Sequence, residues 1–424
     1  MSFTADVVAT LPGPGWLQRR RQDAFERYQA ASRPTVDQEV WRYSRIEELD
    51  LDRYAPVTPR PAPGVPPELA PLLAAVGPTA ALVVVRNGHV AHLEVDERLA
   101  AKGLVVARLA DADPDGDGTA LGAVAGPARD AFAELQSAFV NEPVLVRVPP
   151  GLVVDRPVVV LNWTDADGGA VFSHLVVQAG ENSEITVYDH QGSAGVDAVV
   201  LPVVELDVGP AARLRYLNAQ VLGPQVWQLG RQASRVDRDA TLATTMVALG
   251  GDYARLAIES SMEGRGGSGE MLAVYFGEGD QMQDFRTLQD HVAPGTTSNL
   301  LFKGAVEGRS RSVYTGLIHI GKQAAGVNAF QTNRNVKLSA DAWAESVPNL
   351  EIENNDVHCS HASAVGPVDE DQLFYLESRG VPPEVAERLI VLGFFEEVLD
   401  RLPVQGAVDL LRTEIAEKLE RRDG

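Results

Sequence analysis

The chain has 424 residues, with 59 acidic against 37 basic side chains and a formal charge of -22. That excess argues against general binding to nucleic acid or to an anionic membrane surface, both of which want a basic face. A single cysteine excludes an intramolecular disulfide, and no apolar run reaches the ~18 residues that a membrane span needs. Met1-Ser2-Phe3-Thr4-Ala5-Asp6 lacks the apolar core of a signal peptide, and Arg19-Arg20-Arg21 comes too late and runs into polar, helix-like sequence. The expected location is therefore the cytoplasm. Length suggests two or three domains, although a β-rich domain can run past roughly 200 residues as one unit.

Gly15 to Ala31 has helical spacing, with Phe25, Tyr28 and Trp16 on one face. Ala55 to Pro71 is rich in proline and reads as a linker or an extended surface segment. Ala80 to Val95 reads as two short strands around the turn Asn87-Gly88. Ala110 to Gly118 is an acidic loop, and Pro127 to Val140 is helix-like. From about Pro143 the texture changes to short Val, Ile, Leu and Thr runs between Gly, Asp, Asn and Pro. Examples are Val144–Val148, Val158–Leu161, Leu175–Gln178, Glu184–Tyr188, Val199–Val208, Arg213–Asn218, Tyr253–Ile258, Met271–Phe276 and Val313–Ile320. Such a region predicts a sandwich, a barrel or a parallel β-helix. Hairpin turns are missing and no strict repeat is visible, so periodicity leaves sandwich and β-helix level.

After Pro367 the period returns to helical. Asp369–Ser378 is closed by Arg379-Gly380. Pro382-Pro383-Glu384 opens a second helix to about Leu392. A third is expected from about Phe394 to Arg401 and a fourth from Val404 to Arg421. This gives three regions: a helical or mixed one at 1–140, a β core at 141–366 and a helical domain at 367–424. The last is small enough to need packing against something.

Several short motifs fail on context. Gly316 to Lys322 imitates a P-loop, but Gln323 stands where Ser or Thr should bind magnesium and no helix is signalled, so no ATP site is expected in this chain. Gly264-Arg265-Gly266-Gly267-Ser268-Gly269 fits G-x-G-x-x-G, yet a strand rather than a helix follows, so a turn is expected. Asp111, Asp113, Asp115 and Gly116 begin like a calcium loop, but its twelfth position is Gly122 instead of Glu.

Chemistry concentrates between Asp356 and Gly380. The lone cysteine, Cys359, is flanked by His358 and His361, a donor set suited to iron, zinc or copper. Three donors do not close a four-coordinate site. Either other segments or another protein complete it, or Cys359 is a buried, inert thiol.

Several runs together resemble the SufB/SufD family of iron-sulfur cluster assembly proteins. They are Leu301-Phe302-Lys303-Gly304 with Arg309-Ser310 and Tyr314-Thr315-Gly316; Gln331-Thr332-Asn333-Arg334-Asn335 with Leu338-Ser339; Pro348-Asn349-Leu350-Glu351-Ile352; and Cys359-Ser360-His361 through Gln372-Leu373-Phe374-Tyr375-Leu376-Glu377-Ser378-Arg379-Gly380. Glu39-Val40-Trp41-Arg42-Tyr43, and Val148-Pro149-Pro150-Gly151-Leu152 with Arg156-Pro157, resemble the SufD branch. The resemblance implies a right-handed parallel β-helix core flanked by N-terminal and C-terminal helical regions. It implies a non-catalytic scaffold that pairs with SufB through the core and binds the SufC ATPase through the C-terminal helices. A homodimer is the alternative when the chain is alone. It also implies a transient iron-sulfur cluster shared with SufB, and allows a reduced flavin in the complex. SufB-like chains carry an essential cysteine in a Thr-Gln-Cys-Asp-Ser run, where this chain has Asn333, and Glu-His-Glu where it has Cys359-Ser360-His361. Carried over, Cys359 and His361 are the interface ligands. His358 is expected to point the other way, because strand neighbours alternate faces. Tyr375, Leu376, Val385, Leu389, Phe394, Phe395 and Leu399 are apolar at helical spacings; all but Leu399 are the candidates for ATPase contact. Two other readings compete: a carbohydrate-active β-helix enzyme, for which no paired carboxylates align, and a SufB-like homodimeric scaffold, which the missing cysteine opposes.

Overall fold

A computed structural model describes residues 2–421. Its core is a parallel β-solenoid of about eight turns, which resolves the choice that periodicity left open. One wall is a sheet of 12 strands and the other a sheet of 10. Within the core the strands hydrogen-bond in parallel to the strand one coil later, so Arg213 lies over Thr241, Thr241 over Ser268 and Ser268 over Thr297. Side chains alternate between the interior and the outer faces. Val158, Ile185, Leu214 and Leu242 fill the early coils, while Tyr275, Phe285, Phe302 and Tyr314 pack ring on ring in the later ones.

The interior also holds polar groups. Asp189 is buried, and Asn162, Gln191, Tyr216 and Asn218 all donate to it. These residues hide the strand pattern, which is why Glu184–Ser193 is twice as long as the run Glu184–Tyr188 suggests. The run Val199–Val208 is two strands, Ala198–Val200 and Val203–Val208, parted where Pro202 cannot donate.

The N-terminal end of the solenoid is closed. Ala81–Arg86 and His89–Val95 form the expected hairpin, with φ of 52° at Asn87 and 83° at Gly88. That hairpin ends one sheet, and Val105–Arg108, antiparallel to Val144–Val148, ends the other. The proline-rich stretch is an extended surface segment only as far as residue 66, where Ala55-Pro56 pairs with Gly169-Ala170 and Gly64 N donates to Ala91 O. From Pro67 it is helical, through Pro67–Leu69 into Ala70–Val76, and Leu69 is buried in the core. Helix Gly15–Ala30 packs on helix Ala131–Phe139 through Phe25 and Phe139. Arg21, fully buried, donates to the carbonyls of Leu11, Pro12, Val140 and Asn141.

Glu205, on the outer face of the 12-stranded sheet, fastens the segment 122–125. Its two oxygens accept from Gly122 N, Val124 N and Ala125 N, and one bonds His174 Nε2 at 2.8 Å. Burial alone would raise this carboxyl, but the His174 contact and the backbone donors outweigh it and hold it down at about 2, from an ordinary 4.5. The stability it contributes is present above pH 4.5 and is lost as pH falls through 2. Glu205→Gln is expected to remove that part of the acid transition. In urea titrations, wild type should lose about 3 kcal/mol more than the variant between pH 5 and pH 2. Equal acid sensitivity would show that the bonds do not discriminate between charge states.

The C-terminal helices lie on the outer face of the 10-stranded sheet. Val391, Phe395, Val398 and Leu399 pack with Leu272, Val274, Phe276 and Ala305. Lys303 Nζ donates to Phe394 O at 2.8 Å and pairs with Glu397. Glu370–Ser378 begins at the expected Asp369 cap and ends before Gly380, where φ is 85°. The expected second and third helices are one, Pro383–Leu399. Gly393 sits exposed within it, where a glycine costs only about 1 kcal/mol and does not force a stop. Gln405–Arg421 follows and packs on Ala70–Val76.

Candidate functional site at the open end of the solenoid

The other end of the solenoid is not closed. The sheets finish at Trp343–Ile352 and Val357–Pro367, and no further strand pairs with either among the described residues. The C-terminal helices turn back along the outer face instead of covering this end. Two strand edges therefore present unpaired backbone donors and acceptors, the feature by which one sheet recruits another.

The register decides which side chains stand at the mouth. Ala329, Gln331 and Asn333 are interior residues and pair with Cys359, His361 and Ser363. Cys359 and His361 thus share the interior-facing side of the last strand, with no coil above them. Cys359 is half-buried with Val357 against Ile318, Ile320 and Ala329, and this burial pushes its thiol up from the ordinary value. His361 is exposed. His358 pairs with exposed Asn328 and lies on the outer side, as alternation requires. Across the mouth stand Pro348, Leu350 and Ile352, whose partners Gly316, Ile318 and Ile320 are buried. Ile352 and Val365 are exposed by 43 % and 42 %. The end is an apolar lip around a thiol and an imidazole.

Beneath His361, as its register partner one coil below, lies an orphaned amide. Gln331 is buried, and neither of its amide atoms has a partner among the described residues; Ser346 Oγ is a second orphan there. Gly316 makes room for it: a Cβ there would fall 2.6 Å from Gln331 Oε1. Asn333 is fully engaged, donating to Tyr275 Oη at 2.9 Å and accepting from Asn335 Nδ2 at 2.8 Å. Among the described residues no group of three or more His, Cys, Asp or Glu side chains is placed to hold a metal. This chain brings two donors to its end.

The helical surface sorts the remaining candidates. Tyr375 and Leu389 are exposed by 57 % and 50 %, and Leu376, Val385 and Phe394 are partly buried. Phe395 is set aside as a contact residue, because it is fully buried in the core against the sheet. Phe374, passed over in the periodicity, is exposed by 72 %. The run Gly316–Gln323 leaves a strand and enters turns with no helix after it. Gly264–Gly269 turns between Tyr253–Met262 and Ser268–Gly277, so it does not fit the helix-backed phosphate grip of a dinucleotide such as a flavin cofactor.

Comparison with known proteins agrees with this architecture. Residues 162–394 match the family model described as SUF system FeS cluster assembly, SufBD core domain, and residues 13–160 match the SufBD protein N-terminal region. An iron-sulfur cluster assembly SufBD family protein of Mycobacterium bovis is 37 % identical over 297 residues, covering 68 % of this chain and 74 % of that protein. A Mycobacterium leprae member is 34 % identical over 333 residues, 76 % of this chain and 80 % of its own. The iron-sulfur cluster assembly protein SufD of Bacillus subtilis is 26 % identical over 422 residues, 96 % of this chain and 94 % of that protein. A β-solenoid with this end and these matches belongs to the SufBD family of iron-sulfur cluster assembly proteins.

Proposed function

We propose that this chain is a SufD-like scaffold subunit. It pairs with a SufB-like subunit through the open solenoid end and carries a SufC-like ATPase on its C-terminal helices. The observation that carries the reading is the placement of Cys359 and His361 on the interior side of an uncovered terminal coil. Thiolate and imidazole are donors for iron, and two donors leave a cluster's remaining positions to a partner. A scaffold must release its cargo, so ligation divided between two chains is useful: separating the chains removes half the ligands. A raised thiol pKa keeps Cys359 protonated until iron or a partner's charge favours the thiolate. ATP-driven closure of two ATPase subunits would twist the attached helices, open the paired solenoid ends and expose this coil. Similarity to the Bacillus subtilis SufD over nearly the full length supports the SufD branch, as does Asn333 in the slot of the SufB thiol.

The test is co-expression of this chain with SufB-like and SufC-like partners, followed by anaerobic reconstitution read by visible absorption. Cys359→Ala and His361→Ala are each expected to leave the complex assembled and to lower cluster yield at least fivefold. Unchanged yield would make Cys359 a packing residue and this chain an architectural partner alone.

A further inference from the structure

Away from the solenoid end, a groove of about 810 Å³ lies between the outer face of the 12-stranded sheet and the layer formed by residues 38–41, 121–130 and the helix Ala131–Phe139. Its floor is apolar along Ala257, Leu288 and Leu317, all half-buried. Its volume falls within the ~300–1,000 Å³ typical of small-molecule sites, which bury most of an organic ligand.

The charges around it run against the acidity of the chain. Glu259 is shared by two guanidinium groups, Arg129 Nη1 at 2.9 Å and Arg231 Nη2 at 3.0 Å. Asp284 is likewise shared by Arg255 and Arg286, at 2.6 and 2.7 Å. Each set carries one more cation than anion. Arg231 also donates from Nη2 to Ala125 O at 2.6 Å, while its Nε is buried without a partner among the described residues. Arg20 donates no hydrogen bond among the described residues; its Nη2 lies against Gly122, where a Cβ would stand 2.1 Å away. The carboxylate that acts on Arg20 is Glu205, whose oxygens are already taken by four other partners. The other acids are spent or outside: Asp130 caps its helix through Ala133 N, and Glu39 and Glu351 stand exposed at the rim.

We propose that this groove binds an amphipathic organic oxyanion, with its carboxylate or phosphate toward Arg20 and Arg231 and its apolar body over Ala257, Leu288 and Leu317. An apolar bed explains the body and an uncommitted guanidinium the head, since Arg is the side chain that grips planar oxyanions. A partly buried cation without a hydrogen-bonded partner is costly and gains most from a ligand that supplies one.

The probe is anilinonaphthalene sulfonate, titrated into the full-length protein and followed by fluorescence. Wild type is expected to bind one dye saturably. Arg20→Met should weaken binding at least tenfold, and Leu288→Trp, which fills the floor, should abolish it, both at unchanged melting temperature. Displacement by laurate and by dodecyl phosphate then distinguishes a carboxylate head from a phosphate head. The proposal is overturned if both variants bind as wild type does, if neither amphiphile displaces the dye, or if Phe374→Asp on the helical surface removes the dye while Leu288→Trp does not.

Discussion

Replacing Asp284 by asparagine is expected to lower the unfolding free energy by about 3–5 kcal/mol, the cost of leaving buried charges uncompensated. Asp284 is fully buried. One oxygen accepts from Tyr253 Oη at 2.7 Å and Arg255 Nη1 at 2.6 Å, and the other from Arg286 Nε at 2.7 Å. Burial alone would raise this carboxyl; Arg255, Arg286 and Tyr253 outweigh it and hold it below the ordinary carboxylate value. The two arginines in turn hold the N-terminal segment on the solenoid. Arg255 donates to Val40 O and lies 4.0 Å from the Trp41 ring centroid; Arg286 donates to Arg42 O at 2.6 Å. Asparagine keeps the shape but removes the charge, and it turns an amide N–H₂ or a single carbonyl toward two cations. Trp41, only 4 % exposed, then loses its support. The control is Asp280→Asn. That carboxylate pairs with Arg309 where both side chains are more than 60 % exposed and solvent screens the pair, so its loss should be small beside that of Asp284→Asn. Chemical denaturation of both variants decides it. A loss under about 1 kcal/mol for Asp284→Asn would mean that the triad is not what fixes the N-terminal layer.

The parts of the fold that were legible in the sequence are those set by local chemistry. Asn87-Gly88 announced its hairpin because its two positive φ angles favour those residue types. Asp369 and Gly380 announced the ends of a helix for similar reasons. The solenoid itself was not legible from periodicity. One interior column runs Leu214, Leu242, Gly269, Ser298, Ala329, Cys359. Each position must fit its neighbours in the column and across the core, and no residue type is demanded at every coil, so a structural repeat leaves no chemical one. Family resemblance supplied what the pattern could not. At the site, the shared face of Cys359 and His361 followed from strand alternation. That the coil ends uncovered did not, because it depends on where distant helices pack: Phe395 and Val398 hold the tail on the outer face of the sheet rather than over its end. Gln331 stands in one of the family-like runs, but its orphaned state was not legible there, since an amide looks ordinary until its burial is known.

Phe374→Asp combined with Leu389→Asp is expected to abolish retention of the ATPase subunit while leaving the fold intact. The two residues lie on Glu370–Ser378 and Pro383–Leu399, helices that pack on each other. Phe374 and Leu389, with Tyr375, present large apolar side chains to water, the kind of surface that a docking partner covers. An aromatic residue at an interface centre commonly carries about 2 kcal/mol or more, so truncating Phe374 alone should weaken binding roughly thirtyfold. A carboxylate in place of the ring adds the cost of desolvating a charge. The folded chain should scarcely register the change, because these side chains contribute little to the core; melting temperature should move by no more than a few degrees. Phe395→Ala is the opposite case: the ring is fully buried, and its removal should cost about 3–5 kcal/mol and disturb the whole helical layer. Pull-down of the ATPase from a co-expressed complex, with SufB-like association read in the same experiment, separates the outcomes. Loss of the ATPase alone assigns the helical surface to it. Retention of the ATPase by the double variant would place its docking elsewhere on the chain, and loss of both partners would mean that the two surfaces are coupled.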